Sequence, residues 1–518
     1  MDKFYNLLDE PWLSVCMTDG SRREAGLLEV FENASQIRSL AETAPPSLIA
    51  LYRLLLAITH RALAQKPGGW SDQDRCAWYR KGLPRDEVRR YLEHWRNRFW
   101  LFHPDYPFLQ IAALATAKET RISFKPWTQI SLANASGCTP LVFDHSLDSA
   151  PAPIHPAAAL HCLLGFLQFV PGGLVKVFRI ADKAGPLANS AAAIPVGSTL
   201  NETLCLGLHP CSGQKTRDIP AWEKPSVTLD TLRADPEFAT GVNDRYTRLS
   251  RAVLLRRNED GMVQWIRFAA GEAMEENINA PDPMVSYRAG TDRMIRLSFR
   301  EGRAFWRDLS VLVPDFQGTA AQPAEILRWA ADLKRMLGEE NTGQEILAAG
   351  VSSDQAKILR WRIEQIALPA ALLADASLAG ALREEARRAE EFYGKLRSIA
   401  VRMLAAVLPD PARKDTKAMA RNILDKGPAA ATFFAAIESS QPRLLEMIAT
   451  ARLDEAHAFW SEEVVKAART TWKRIGRHLG PSSLALCAEA SAYPYFCNLM
   501  RSFYAEKTVS DPSKEVQA

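Results

Sequence analysis

From Leu359 to Glu364 the chain alternates: Leu359, Trp361 and Ile363 are apolar, while Arg360, Arg362 and Glu364 are polar. A period of two marks a strand with one covered face. From about Leu372 the period changes, and apolar residues recur at helical spacing almost to the end. A chain with this switch is neither all-helical nor all-β. Before the alternating run stand the short apolar run Ile346–Ala349 and then Val351-Ser352-Ser353-Asp354-Gln355, rich in turn formers. Ile346–Ile366 therefore predicts a β-hairpin with Ser353-Asp354-Gln355 at or near its tip. Lys357, Arg360 and Arg362 fall on its polar side. An ordinary solvated hairpin has the same pattern.

The switch also sets the expected organisation. The fold class is α+β: a large mixed α/β N-terminal domain with β-hairpins and long loops over 1–370, then a C-terminal four-helix bundle over 371–506. Residues 507–518 are expected to form a disordered tail. Helices are expected near 378–408, 414–425, 428–449, 454–479 and 482–505. Pro409 and Pro411 separate the first two, Pro442 is placed to break or kink the third, and Gly480-Pro481 splits the last pair. Four of these are long, as a bundle requires. Lys466, Arg469, Lys473 and Arg477 fall at i, i+3, i+7 and i+11, so they share one helix face. Such a stripe is either solvated surface or a contact for nucleic acid.

Before the hairpin, strands and helices mix. Tyr5–Val15 and Ala25–Val30, joined at Asp19-Gly20, predict an edge hairpin. Pro45-Pro46-Ser47 opens a helix to about Ala64, and Asp86 to about Trp100 predicts another. Trp127–His155 has little periodicity, and structureless segments of that length are often functional. Ala157–Phe169 predicts a buried helix ending at Pro171-Gly172-Gly173, with Lys176, Arg179 and Lys183 beyond. Glycines let a backbone approach a ligand closely, and basic neighbours suit a phosphate-bearing one. A plain surface turn has the same residues. Arg251–Phe268 predicts a second hairpin around Asn258-Glu259-Asp260-Gly261, in a neighbourhood rich in arginine. Ala324–Leu337 predicts a helix.

Charge and motifs exclude several functions. A net charge of +4 on 518 residues does not by itself mark a nucleic-acid binder. The eight cysteines form no C-x-x-C pair and read as reduced core residues of a cytoplasmic protein. The start, MDKFYNLLDEPW, lacks a signal-peptide pattern. The apolar run Leu48–Leu63 carries Arg53, His60 and Arg61, so it reads as a buried helix and not a membrane span. There is no phosphate-binding loop, no H-E-x-x-H helix and no G-x-S-x-G elbow. Among nine scattered histidines, Asp144-His145 is the one adjacent Asp-His pair, and no further ligands stand at metal-site spacing. No metal site and no cofactor are expected.

With these residues in view, the chain resembles the CasA-type large subunit of the type I-E CRISPR surveillance complex, Cascade, over nearly its full length. The landmarks are Tyr5-Asn-Leu-Leu-Asp-Glu-Pro-Trp-Leu, His103-Pro-Asp-Tyr-Pro-Phe-Leu-Gln, Leu141-Val-Phe-Asp-His, Pro171-Gly-Gly, Ile194-Pro-Val-Gly-Ser-Thr-Leu with Glu202-Thr-Leu, and Gly350-Val-Ser-Ser-Asp-Gln-Ala. Each is weak alone; their order and spacing carry the likeness.

The resemblance implies a non-enzymatic subunit. Such a subunit reads the protospacer-adjacent motif (PAM) in duplex DNA, helps open that duplex, and recruits a separate helicase-nuclease. It implies a wedge at the hairpin tip, Asp354, Gln355 and Ala356, displacing a base step at a cost of a few kcal/mol. It implies a glycine loop at Gly172 and Gly173 that meets the PAM in the minor groove. Leu174 follows where the family's glycine run is longer, so PAM preference can differ. The family's PAM-reading lysine falls near Ala269; Arg267, on the same strand face, is the expected substitute. Phe143, Asp144 and His145 match the core of a loop that docks on the complex and its guide-RNA handle. The stripe Lys466, Arg469, Lys473 and Arg477 is nominated for DNA on charge pattern alone. The partners implied are other Cascade subunits, the guide crRNA handle, target duplex and displaced strand, and the helicase-nuclease. Two other readings stay open: a metal-dependent nuclease built on Asp144-His145, and a structural adaptor without DNA contact.

Overall fold

The computed structural model describes residues 3–65, 68–134, 148–173, 175–211, 218–315, 321–340, 342–354 and 357–505, with backbone alone over 352–354, 357–360 and at 505. The chain divides into two compact units: Met1–Phe305 with Val311–Ala374, and Trp306–Ser310 with Asp375–Ala518. The fold is mixed α/β with a helical C-terminal region, as the change of period predicts.

The first unit is built around the helix Pro45–Leu63, all of whose 19 residues are buried. Prolines open it, in the first turn, where a missing N–H costs nothing. Its charged residues are matched inside. The fully buried Arg53 donates to Asp282 Oδ1 at 2.5 Å and Gln168 Oε1 at 2.9 Å, and its guanidinium lies 4.7 Å from the centre of the Tyr246 ring. Arg61 forks onto Glu223, with Nε 2.8 Å and Nη2 2.5 Å from its oxygens. An unpaired charge here would cost several kcal/mol, so an apolar helix carrying arginines needs these partners. No helix among the described residues is long and apolar enough to cross a membrane.

Strands in this unit form small sheets of two or three. One has the order Lys357–Pro369, Gly343–Asp354, Ala191–Val196, all antiparallel neighbours. The predicted hairpin is there, and longer than expected. Pairing runs from Gly343↔Pro369 to Asp354↔Lys357, with a register shift between Ser352 and Ser353. Val351–Asp354, whose composition suggests a turn, is strand: cross-strand pairing overrides local turn preference. A second sheet holds the Arg251–Arg257 and Val263–Ala270 strands, as predicted, with Gly261 at φ +83° in their turn. Lys125–Pro126 is its third strand.

The N-terminal expectation needs correction. Leu13–Met17 and Arg22–Ala25 do form a hairpin around Gly20 at φ +85°. Phe4–Asn6, however, pairs instead with Trp100–Phe102, and Leu27–Glu32 is a helix. Leu27, Val30 and Phe31 are its buried residues, at helical spacing that six residues are too few to announce. The predicted 86–100 helix runs over Arg85–His94 and gives way to a 3-10 turn and the strand Trp100–Phe102. Asp72–Lys81, not predicted, is a helix opened by a reciprocal capping box between Ser71 and Asp74.

The second unit contains the helices Ala376–Ala406, Lys414–Lys426, Ala429–Glu438, Gln441–Ala449, Leu453–Leu479 and Ser483–Ala505. The third expected helix is two, parted at Ser439-Ser440 just before Pro442. Asp375 caps the first by accepting from the Ser377 and Leu378 amides, worth about 1 kcal/mol. Aromatic rings fill the centre. Phe392 lies 6.2 Å from Phe433 and 4.8 Å from Phe503, and Trp472 stacks on Phe496 at 4.5 Å. Trp306–Ser310 belongs to this unit: Arg307 forks onto Glu390 at 2.9 and 2.8 Å and covers the Phe434 ring.

Candidate functional site

The glycine loop is held by one buried carboxylate. Asp182 accepts from the Gly271 amide at 2.9 Å and from its neighbour Lys183 at 3.0 Å, and lies 3.2 Å from Arg251 Nη1. Arg251, itself buried, donates to the carbonyls of Pro171 and Lys183, both at 2.7 Å. Burial pulls the Arg251 pKa down, against the attraction of Asp182. Gly173 and Asp182 then exchange backbone hydrogen bonds of 3.1 and 2.8 Å across the loop. Between them Lys176 and Phe178 sit at φ +59° and +69°. Such conformations cost roughly 1–3 kcal/mol each in a non-glycine residue and persist only where the surroundings impose them. Ile180, on the same loop, is 82% exposed.

The two glycines differ. A Cβ on Gly172 would come within 3.3 Å of the Ala184 amide, so a side chain there would press on the loop's far side. A Cβ on Gly173 would meet nothing within 4 Å, and Gly173 does not have a positive φ. Nothing among the described residues asks for a glycine at this exposed position.

At the long hairpin the alternation is real, but its faces are inverted. Trp361 and Ile363 are 38% and 47% exposed, while Arg362 and Glu364 are half-buried. The reason is what covers the strand. Arg362 donates to the carbonyls of Arg300 and Arg303, each at 3.0 Å, and lies 5.0 Å over the Phe299 ring. Glu364 accepts from the Phe305 amide at 2.8 Å and pairs with Arg362. The 299–305 segment brings polar backbone to this face, and charged side chains are what satisfy it. Lys357–Pro369 is the sheet's edge strand, and Trp361 on its other face lines a recess with Pro46, Trp127 and Phe166. Gln355 and Ala356 lie outside the described residues, as do Phe143, Asp144 and His145; Asp354 is described as backbone only.

Arg267 extends from the Val263–Ala270 strand, its Nη2 3.3 Å from the Arg121 carbonyl and its guanidinium 4.9 Å from the centre of the Phe124 ring. Its strand runs on to the glycine loop, where the Ala270 amide donates to Val177 and the Gly271 amide to Asp182. At about 3.3 Å per residue the Arg267 backbone is roughly 10 Å from that junction. Ala269 is fully buried. Lys466, Arg469, Lys473 and Arg477 are all exposed, opposite buried Val464, Ala468, Trp472 and Ile475. Lys466 is tied to Glu463 at 2.6 Å. Asp182, Phe124 and the outward turn of Trp361 escaped the sequence reading. Their roles depend on partners more than 50 residues away, and no local signal carries that.

Residues 6–471 match the family described as CRISPR-associated protein Cse1. The chain belongs to this family. The CasA/Cse1 protein of Thermus thermophilus is 33% identical over 96% of this chain and 98% of its own length. The structure of Thermus thermophilus CasA (Cse1) superposes with a TM-score of 0.82 at 30% identity, covering 97% of this chain and 100% of that one. A chain of a CRISPR RNA-guided surveillance complex shares the fold at a TM-score of 0.71 and 20% identity, over 98% and 100% of the two chains. The resemblance to the CasA-type large subunit read from the sequence is borne out.

Proposed function

We propose that this Cse1-family chain is the non-catalytic large subunit of a cytoplasmic, RNA-guided type I-E surveillance complex. It reads the PAM in duplex DNA through the loop at Gly172 and Gly173, with Arg267 as a basic neighbour. It opens the duplex with the hairpin tip at Asp354, Gln355 and Ala356. It docks on the complex and the guide-RNA handle through Phe143, Asp144 and His145, steadies DNA on the Lys466–Arg477 stripe, and recruits a helicase-nuclease.

The observation that carries this reading is Gly173. It is exposed, unstrained and uncrowded, yet it sits on a loop pinned by Asp182 and Arg251 and strained at Lys176 and Phe178. A glycine that its own fold does not need supports close approach of something from outside. In a minor groove, small residues sense the guanine amino group by fit. The wedge then contributes to a near-balanced exchange of duplex for guide–target hybrid, which modest protein contacts can tip.

The test is binding of the reconstituted complex, with and without this subunit, to duplexes carrying randomised PAMs. The subunit is expected to impose a PAM preference, and Gln355→Ala to weaken opening of duplex more than binding to pre-opened target. A preference unchanged on omitting the subunit, or equal losses on both targets, would remove the PAM-reading or the wedge role respectively.

A further inference from the structure

On the outer face of the 251–270 hairpin two arginines share one phenyl ring. The Arg256 and Arg267 guanidinium carbons lie 4.6 and 4.9 Å from the centre of Phe124. The register puts them there: Arg256 pairs with Trp265, two residues from Arg267 on the same face. Phe124 is delivered by the third strand, since Lys125 and Pro126 pair with Ile266 and Trp265.

Elsewhere in this unit buried arginines are matched either by carboxylates, as Arg53 by Asp282, Arg61 by Glu223 and Arg251 by Asp182, or by several carbonyls, as Arg75 by those of Cys205, Leu206 and Trp329. The Arg256 and Arg267 pair is more open to solvent and has neither arrangement. Neither Arg256 nor Arg267 has an ion-pair partner among the described residues. Among the described residues the one polar contact of the Arg267 guanidinium is the Arg121 carbonyl, and its Nε is buried without a partner. Burial, and then the charge of Arg256, pull the Arg267 pKa down. Arg121 and Lys125 are exposed beside them. Two like charges gathered on one ring repel each other, and no counter-charge among the described residues pairs with them. Planar guanidinium forks match a phosphate, and stacking on one ring pre-orients both. The same strand reaches the glycine loop roughly 10 Å on, a span of about three base pairs along one DNA strand.

We propose that Arg256 and Arg267, both stacked on Phe124, clamp a backbone phosphate of the target duplex beside the base pairs that the glycine loop meets. The clamp rests on the PAM-reading function proposed above. It adds affinity without sequence preference, because phosphate contacts position and base contacts specify.

The test uses full-length subunit in the reconstituted complex, with Arg256→Gln, the double variant Arg256→Gln/Arg267→Gln, and the double lysine variant. Thermal unfolding checks that each is folded. Binding to PAM-bearing duplex is measured across salt concentrations, and assembly on guide RNA alone is measured in parallel. The double glutamine variant is expected to lower the slope of log affinity against log salt by about one, and to weaken every PAM sequence by a similar factor of roughly ten. Arg256→Gln, at an exposed position, is expected to show a smaller loss of the same kind, and the lysine variant to keep the slope. An unchanged slope in the folded glutamine variants overturns the clamp. So does a loss of guide-RNA assembly with the duplex slope intact, which assigns the phosphate to the guide. If instead the unaltered subunit adds nothing to duplex binding, the PAM-reading function itself has failed, and that outcome is distinct from failure of the clamp.

Discussion

The two hairpins, 251–270 and 343–369, are both antiparallel pairs with opposite outcomes. In the first, Ala252, Val253, Leu254 and Leu255 are all buried, and arginines are pushed to the end of the strand, where they stack on aromatic rings. In the second, Trp361 and Ile363 face outward and Arg362 and Glu364 turn toward the chain. The difference lies in what comes to rest on each strand. Apolar packing covers the first, while a backbone segment whose carbonyls and amide bond to Arg362 and Glu364 covers the second. Alternation specifies a strand, but it does not specify which face will be covered.

If the first hairpin is anchored by buried charge, its largest vulnerability is Asp182. Asp182→Asn leaves Arg251 buried and unpaired, and is expected to lower unfolding free energy by about 3–5 kcal/mol in denaturant titration. A loss below about 1 kcal/mol would show that solvent reaches Arg251 and would erase the contrast. On the second hairpin Glu364→Gln removes the charge that meets Arg362 and weakens the acceptor for the Phe305 amide. About 1–2 kcal/mol is expected, because the site is only half-buried. Trp361→Ala comes next, at about 1 kcal/mol or less, where a core tryptophan would cost about 3–5. A core-sized loss on unfolding would mean that Trp361 is covered after all. Smallest in stability is Gly173→Ala, expected within about 0.5 kcal/mol of the unaltered protein. PAM discrimination in the assembled complex is nevertheless expected to fall. An alanine that leaves discrimination intact would return Gly173 to an ordinary surface turn.

Much of this fold is legible locally. The change of period near Leu372, the Asn258–Gly261 turn and the prolines at 45 and 46 each act within a few residues, and each element stands where they put it. The capping box Ser71-Asp72-Gln73-Asp74 was legible too, though the short helix after it has little apolar periodicity to draw attention. What sequence could not supply is long-range cover. Glu364 meets Phe305 across 59 residues, and Arg251 reaches Pro171 across 80. The glycine loop could be placed from Gly172-Gly173, but its anchor Asp182 looks like any other polar residue until the fold is closed.

The Trp306–Ser310 segment bears on how the helical unit can be dissected. A fragment starting at Asp375 contains every helix of the bundle but lacks Arg307, the bidentate partner of Glu390 and the lid on Phe434. Expressed alone, it would leave an acidic residue and a ring to water. A synthetic peptide spanning Phe305–Val311, added in trans, should raise its melting temperature, turning a chain excursion into a fragment-complementation assay.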